Sequence, residues 1–427
     1  MIAAVLFVAA MAVAAVFWAL LPAAYRANQN VDYQHGYEPA ARSIVAGQGI
    51  PIDGVLEPRY PPGFPVMLAG LFRVSAATGA GESALLLGFR LFCAGLSAVL
   101  LYALARLVWP PGPALLPPLV WLTYPFWLWV AKQPNSEVPF VPALFAAMWL
   151  LWRPLLRGER GPRAWALYLA AGMMTGLAML IRPVAIGLPF VMAVIVLLFA
   201  ARGAAWRRLG WAVLVLAGAS LAVLPWEATL FGRTGQFIPL SIGGNVTIQD
   251  GLMFVASEDA YRRPMNVPAD VVAISRAFYD RRLEMQLGGM RGVVSLALDL
   301  GREDPGALVK LLALKIVRGW YANDSRVYET PSLLLQLVYL GLIAWGSVAS
   351  WRRGGGRGPA GRMNAGHWLL ALYFWGMAFL VVPLLRYMVP VMGLLLLALP
   401  AIGARGRAPG GREPSAVAAA DHRPSDH

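Results

Sequence analysis

A few charged and aromatic residues stand out from an otherwise apolar chain. Between Asp32 and Pro65 the sequence gathers Asp32, Glu38, Arg42, Glu57, Arg59 and Tyr60 among prolines and glycines. Further on, Glu137 follows Asn135 and Ser136, Arg182 precedes Pro183, and Arg386 stands beside Tyr387. A carboxylate can take a proton, and arginine's planar fork of donors matches the oxygens of a phosphate. The segment EPRYPPGFP is held extended and stiff by its prolines, so it presents Arg59 and Tyr60 at a fixed place. This stretch is therefore the first place to look for chemistry.

These residues are positioned by a membrane. The chain has 427 residues, 59% of them hydrophobic and 14% charged, with a mean hydropathy of +0.60. That excludes a water-soluble globule and implies an all-α polytopic membrane protein. Apolar runs of spanning length recur at 2–23, 84–108, 113–131, 137–152, 164–181, 184–200, 209–230, 332–350, 366–384 and 387–404, which predicts about ten transmembrane helices. The net charge of +14 resides in short arginine-rich segments between those runs, at 153–163, 201–210, 351–362 and 404–412. This is the pattern of cytoplasmic loops rather than of a nucleic-acid surface. With both termini cytoplasmic, the loops 24–83 and 231–331 face outward together, with the turns holding Glu137 and Arg386. Within 231–331, FIPLSIGGN reads as strand and turn, whereas 268–288 and 306–320 read as amphipathic helices, the latter along the membrane surface. The tail 405–427 reads as disordered and cytoplasmic.

The lone Cys93 rules out an intramolecular disulfide and a cysteine metal cluster, and His35, His367, His422 and His427 have no metal-ligand spacing. No spacing demands a divalent cation, although Asp32, Glu38 and Glu57 are the carboxylates that could bridge one to a phosphate. Each candidate also has a plain structural role. Asp32 could cap the helix that follows it, and Glu38 with Arg42 has i,i+4 pairing distance. Glu137 opens an apolar run, where a helix dipole favours an acid. Arg59, Arg182 and Arg386 could snorkel to lipid headgroups, and Trp226 and Tyr387 could be interfacial belt aromatics, with Glu227 a weaker candidate beside Trp226.

The order of the motifs adds a family resemblance. Asp32 just after the first span, a helix of the form Tyr-x-x-x-Ala ending at glycine, and RYPPGFP resemble the first external loop of the polyprenyl-phosphate-sugar-dependent glycosyltransferases of the C-type fold. Within these, the chain is most similar to the superfamily of dolichyl-phosphate-mannose-protein mannosyltransferases and aminoarabinose transferases. The likeness continues through NSE at 135–137, GLAMLIRP at 176–183, VLPWEATLFGRTGQFIPLS at 223–241 and LRYMVP at 385–390. Where the family often has Asp-Glu this chain has Asp32-Tyr33, which leaves Glu38 as the second carboxylate. Where aminoarabinose transferases have Glu-Lys-Pro-Pro it has Arg59-Tyr60-Pro61-Pro62, with Glu57 further upstream.

The resemblance implies a single membrane glycosyltransferase domain over residues 1–404, in the bacterial inner membrane, with its active site on the external or periplasmic face. The donor would be a polyprenyl-phosphate-linked hexose or pentose and the acceptor a lipid, glycan or protein. It implies inverting transfer with Asp32 as general base, Glu38 as a second catalytic carboxylate, and Arg59, Tyr60, Glu137, Arg182, Arg386 and Tyr387 around the donor phosphate and substrate. A transporter or flippase of lipid-linked sugars is the alternative. It would need ionisable groups near span centres, for which Arg90 is the clear example, and internal two-fold similarity, which the spans do not show. A non-catalytic scaffold would have no use for so concentrated a polar loop.

Overall fold

The computed structural model describes residues 1–26, 28, 30–50, 59–200, 205–256, 265–323, 325–354 and 358–403. Glu57, residues 201–204 and the 405–427 tail lie outside the described residues. All regular structure among the described residues is helical. In chain order the helices of seven or more residues are α1 (Ile2–Leu20), α2 (Glu38–Val45), α3 (Gly63–Thr78), α4 (Glu82–Ala105), α5 (Leu116–Leu122), α6 (Pro125–Ala131) and α7 (Glu137–Arg157). They continue with α8 (Pro162–Ile181), α9 (Leu188–Phe199), α10 (Ala205–Thr234), α11 (Gly243–Met253), α12 (Ala269–Asp280), α13 (Arg282–Glu303), α14 (Pro305–Arg318), α15 (Glu329–Gly354), α16 (Pro359–Leu380) and α17 (Val389–Leu395).

Every run expected to span is helical, but they are not alike. Six helices, α1, α4, α7, α8, α10 and α15, are long and apolar enough to cross a bilayer, or seven spans if the segments Pro113–Leu122 and Pro125–Ala131, bent by 53° at Thr123-Tyr124, count as one. Proline is the cause of that bend, because Pro125 cannot donate to the preceding turn. The stretches Pro183–Phe199 and Val389–Gly403 are apolar but shorter, and α16 carries Arg362, Asn364 and His367 along its 22 residues. The expected ten therefore resolve into six or seven full-length spans and shorter apolar helices packed among them. Exposed apolar side chains such as Val5, Val8 and Val16 on α1, Leu221 and Leu224 on α10, and Leu334, Leu337 and Trp345 on α15 form the greasy outer surface that lipid would cover.

The centre of the bundle is α7, whose apolar stretch is 72% buried. Its residues Phe140, Phe145, Met148 and Trp152 are enclosed, and Trp121, Tyr124 and Trp127 of the bent pair pack into the same core. Close approach sets the α8–α10 crossing. A Cβ on Gly172 would lie 2.1 Å from the Val215 carbonyl oxygen, one on Gly176 2.6 Å from that of Ala219, and one on Gly218 2.3 Å from that of Leu169. Small residues at four-residue spacing let the two backbones touch, which is how helices pack where lipid removes the hydrophobic drive.

The two long polar segments are also helical. Residues 24–83 contain α2 and the apolar α3, and 231–331 contains α11 to α14. The latter helices share their own small core around Phe278, Met285, Leu300 and Leu311. The 268–288 and 306–320 readings are thus helical as expected, whereas FIPLSIGGN holds no strand. Its backbone has no neighbouring strand to pair with. Instead Trp226 Nε1 donates to the Leu240 carbonyl at 2.8 Å, the Leu240 N–H donates to Glu227 Oε1 at 2.8 Å, and Gly243-Gly244-Asn245 opens α11.

Candidate functional site

Five separated stretches of sequence converge where α7 begins, α8 ends and the chain turns after α16. Asp32 comes from the start of the first loop. It is followed by a π-helical stretch, Tyr33–Tyr37, which runs directly into α2. Asp32 does not cap this helix with its side chain. Asn30 does so instead, its Oδ1 accepting from the Tyr33 N–H at 3.1 Å. The Asp32 carboxylate is thereby left for the cavity.

Arg59 and Tyr60 arrive on the proline-stiffened segment, and glycines decide where it lies. A Cβ on Gly63 would stand 2.6 Å from the Leu180 carbonyl oxygen, so RYPPG lies directly on the end of α8, next to Arg182. A Cβ on Gly36 would stand 2.2 Å from the Tyr60 ring. The missing side chain lets Tyr60 reach over the π-turn, and its hydroxyl donates to Asp32 Oδ1 at 2.8 Å. The ring centroids of Tyr37 and Tyr60 are 4.4 Å apart, and Phe64 meets Tyr37 edge-on at 4.9 Å. The Tyr60 hydroxyl is pushed well above its ordinary pKa, first by burial and then by the Asp32 charge, so it remains a donor.

Glu137 is the first residue of the buried central helix, and its side chain is only 5% exposed. Arg182, at the extended end of α8 and 9% exposed, forms an ion pair with it. Arg182 Nη1 also contacts Ser136 Oγ at 3.4 Å, and Tyr37 donates to the same oxygen at 3.2 Å. Arg386, on the short 3₁₀ turn Leu385–Tyr387, lies between the two acids. Its Nε is 3.9 Å from Glu137 Oε1 and its Nη2 is 4.0 Å from Asp32 Oδ2. Tyr387 lies beneath both guanidiniums, each 5.5 Å from the ring centroid.

These residues line one cavity of about 570 Å³, whose far wall is the loop 236–242 and the first turns of α11. Seven of the eight residues singled out from sequence, Asp32, Arg59, Tyr60, Glu137, Arg182, Arg386 and Tyr387, face it. Glu38 does not. It turns to Arg42, at 2.6 Å, which is also held by Glu82 at 2.9 Å. Arg182 also departs from the expectation of a headgroup-facing arginine, because its fork is taken up by Glu137 inside the protein. Tyr37, Ser136 and the opening of α11 were not foreseen as parts of the site. Tyr37 carried a signal in the Tyr-x-x-x-Ala pattern, and α11 in the Gly243-Gly244 pair ahead of a polar-apolar run.

Among the described residues no three histidine, cysteine or acidic side chains come together to hold a metal ion. Asp32 and Glu137 share Arg386 rather than facing a common metal position, so the described carboxylates do not form a cation cage. Electrostatically, three arginines (59, 182, 386) and three carboxylates (32, 137, 250) line the cavity, and Arg182 is taken up by Glu137. The forked donors of Arg59 and Arg386 on its wall suit the oxygens of an anion.

Residues 59–227 match the model of the dolichyl-phosphate-mannose-protein mannosyltransferase family. No curated protein matches the chain. Among solved structures, the chain is similar to the archaeal oligosaccharyltransferase AglB from Archaeoglobus fulgidus in complex with an inhibitory peptide and a dolichol-phosphate. The TM-score is 0.55 and the identity 16%, covering 95% of this chain and 52% of that one. An Archaeoglobus fulgidus oligosaccharyltransferase in complex with zinc and sulfate gives 0.53 and 17%, over 92% and 48%. ArnT from Cupriavidus metallidurans, bound to undecaprenyl phosphate, gives 0.41 and 17%, over 94% and 77%. The chain spans about half the length of the oligosaccharyltransferase. The likeness to AglB establishes the fold, and with the family match it bears out the resemblance read from the motifs.

Proposed function

We propose that this chain, an integral membrane protein of the C-type glycosyltransferase fold, moves a sugar from a polyprenyl-phosphate-linked donor to an acceptor on the external face of the membrane, with inversion. One observation carries the reading: a cavity at the ends of the spans sets an oriented carboxylate, Asp32, in company with Arg59 and Arg386. The arginine-rich loops support an orientation with that end of the bundle outside the cell, in a bacterial inner membrane.

The geometry supports a direct displacement. Tyr60 occupies one carboxylate oxygen of Asp32 and fixes the plane of the group, leaving the other oxygen to receive a proton. As the acceptor hydroxyl gives its proton to Asp32, its oxygen forms a bond to the anomeric carbon. The bond from that carbon to the phosphate oxygen breaks, and its electron pair stays on the phosphate, whose charge becomes more negative by one. Arg59 and Arg386 face that growing charge, and their donors favour the products over the ground state. The buried Glu137–Arg182 pair does not take part in proton transfer; it holds the end of α8 and the Arg386 turn around the head of α7. Acceptors of the lipid, glycan and protein classes all offer the nucleophile this step needs.

The flippase reading loses its main support. Arg90 of α4 donates to the carbonyl oxygens of Lys132 and Leu86, and its guanidinium lies 5.2 Å from the Trp18 ring centroid, so it closes the end of α6 rather than lining a path. Incubating the purified protein in vesicles with a radiolabelled polyprenyl-phosphate sugar and a mixture of acceptors separates the readings. Release of polyprenyl phosphate is expected. Movement of the intact lipid across the bilayer without release would overturn the transferase in favour of the flippase.

A further inference from the structure

The Asp32 and Glu137 networks make no use of the loop between α10 and α11, yet its backbone is held in an unusual state. Leu240 has a φ of +60°, the left-handed region that a branched side chain rarely adopts. The two hydrogen bonds from Trp226 and to Glu227 fix it there. Such strain persists only where the surroundings over-determine it, which is common at ligand sites. Its effect here is to bring Ser241 and the start of α11 to the cavity wall.

Two independent features of that wall point to an anion. First, α11 opens without a cap. Ile242 at its N-cap has no side-chain acceptor, and Gly243 and Gly244 follow; Asn245 N–H donates to the Ile242 carbonyl at 3.1 Å, so the first two amides of this 11-residue helix, those of Gly243 and Gly244, lack partners within the helix. A Cβ on Gly243 would lie 2.2 Å from the Arg59 carbonyl oxygen, so glycine there brings Arg59 against the first turn. A Cβ on Gly244 would meet nothing within 4 Å, so the space in front of its backbone is open. Second, Ser241 is 8% exposed, and its buried Oγ has no hydrogen-bond partner although the residue lines the cavity. A buried hydroxyl without a partner is costly, and a ligand oxygen would satisfy it.

We propose that Ser241 Oγ, the opening amides of α11 and Arg59 together seat the phosphate of the lipid-linked donor, and hold the polyprenyl phosphate that leaves. The seat rests on the transferase reading and specifies it. The acceptor's proton goes to Asp32 on one side of the cavity, and the phosphate is gripped by backbone amides on the other. Ordinary anionic phospholipids carry the same chemistry, so the test must separate the two sources.

Binding is measured in neutral-lipid nanodiscs, titrating the full chain with undecaprenyl phosphate, undecaprenol or phosphatidylglycerol. The wild-type protein is expected to prefer undecaprenyl phosphate to both others. Removal of one neutral donor in Ser241→Ala should weaken that binding by about three- to tenfold, and Ser241→Asp, which places a carboxylate against the phosphate, by more than about tenfold. Undecaprenol binding should stay unchanged in both variants. Should Ser241→Asp fail to fold, Ser241→Ala decides alone. Wild-type affinity for undecaprenyl phosphate in both variants, or in Ser241→Ala when it stands alone, would overturn the seat while leaving the transferase reading intact. A wild-type protein that does not distinguish undecaprenyl phosphate from undecaprenol would overturn both. Equal, Ser241-dependent binding of phosphatidylglycerol would overturn the assignment of the seat to the donor.

Discussion

Asp32 and Glu38 lie six residues apart in the first loop, and the sequence offers them as a pair. In the folded chain they have different surroundings. Asp32 is held by the Tyr60 hydroxyl and approached by Arg386 at the mouth of a large cavity. Glu38 lies on the other side of the helix, in a partly exposed chain with Arg42 and Glu82, where its charge raises the pKa of the already buried Tyr33. The π-helical turn between them sets the register, and it is the partners of each acid that assign it a role. A carboxylate whose neighbours are a donor hydroxyl and open cavity can exchange a proton. One already satisfied by an arginine at 2.6 Å serves to hold a helix in place.

This contrast can be broken at several points. Asp32→Asn should have the largest effect, a loss of about 10²–10⁴ in kcat, the usual contribution of a general base. The KM for the donor should change little, which steady-state kinetics would show. Next comes Glu137→Gln. Leaving Arg182 buried without its partner should cost about 3–5 kcal/mol of stability, read as a large fall in the thermal unfolding midpoint in detergent. Gly36→Ala follows, because its methyl group would displace the Tyr60 ring and free Asp32; kcat should drop while expression stays normal. Tyr60→Phe, which removes only the hydroxyl, should cost about 0.5–1.5 kcal/mol in transition-state stabilisation, close to a tenfold loss of kcat at most. The smallest effect belongs to the other side of the comparison. Arg42→Ala breaks the exposed Glu38–Arg42–Glu82 chain and should change stability by less than about 1 kcal/mol, with transfer activity unaffected.

The apolar runs made the helical membrane architecture legible, because roughly 20 consecutive apolar residues have few other uses in a chain of this composition. Their number of crossings was less legible. An apolar run marks burial as well as lipid, and a short helix such as α17 is wholly buried among its neighbours. The site was legible where residue type alone decides chemistry: arginines 59, 182 and 386 at one end of the bundle do converge on one cavity. What pairing would do to them was not. Arg182 is consumed by Glu137 because α7 is the innermost helix, a fact of packing with no local signature. Likewise FIPLSIGGN has the composition of a strand, but with no strand beside it the side chains of Trp226 and Glu227 take its backbone groups. Local pattern states what a segment could pair with, and the tertiary structure decides what is there.

The two carboxylates can be set against each other in one measurement: the single-turnover release of polyprenyl phosphate by Asp32→Asn and by Glu38→Gln, each in the same vesicles with saturating polyprenyl-phosphate sugar and acceptor. Asp32→Asn should release polyprenyl phosphate at least about a hundredfold more slowly than the wild-type protein, and Glu38→Gln at close to the wild-type rate. Wild-type release by Asp32→Asn, or equal losses in the two variants, would contradict the assignment of Asp32 as the base.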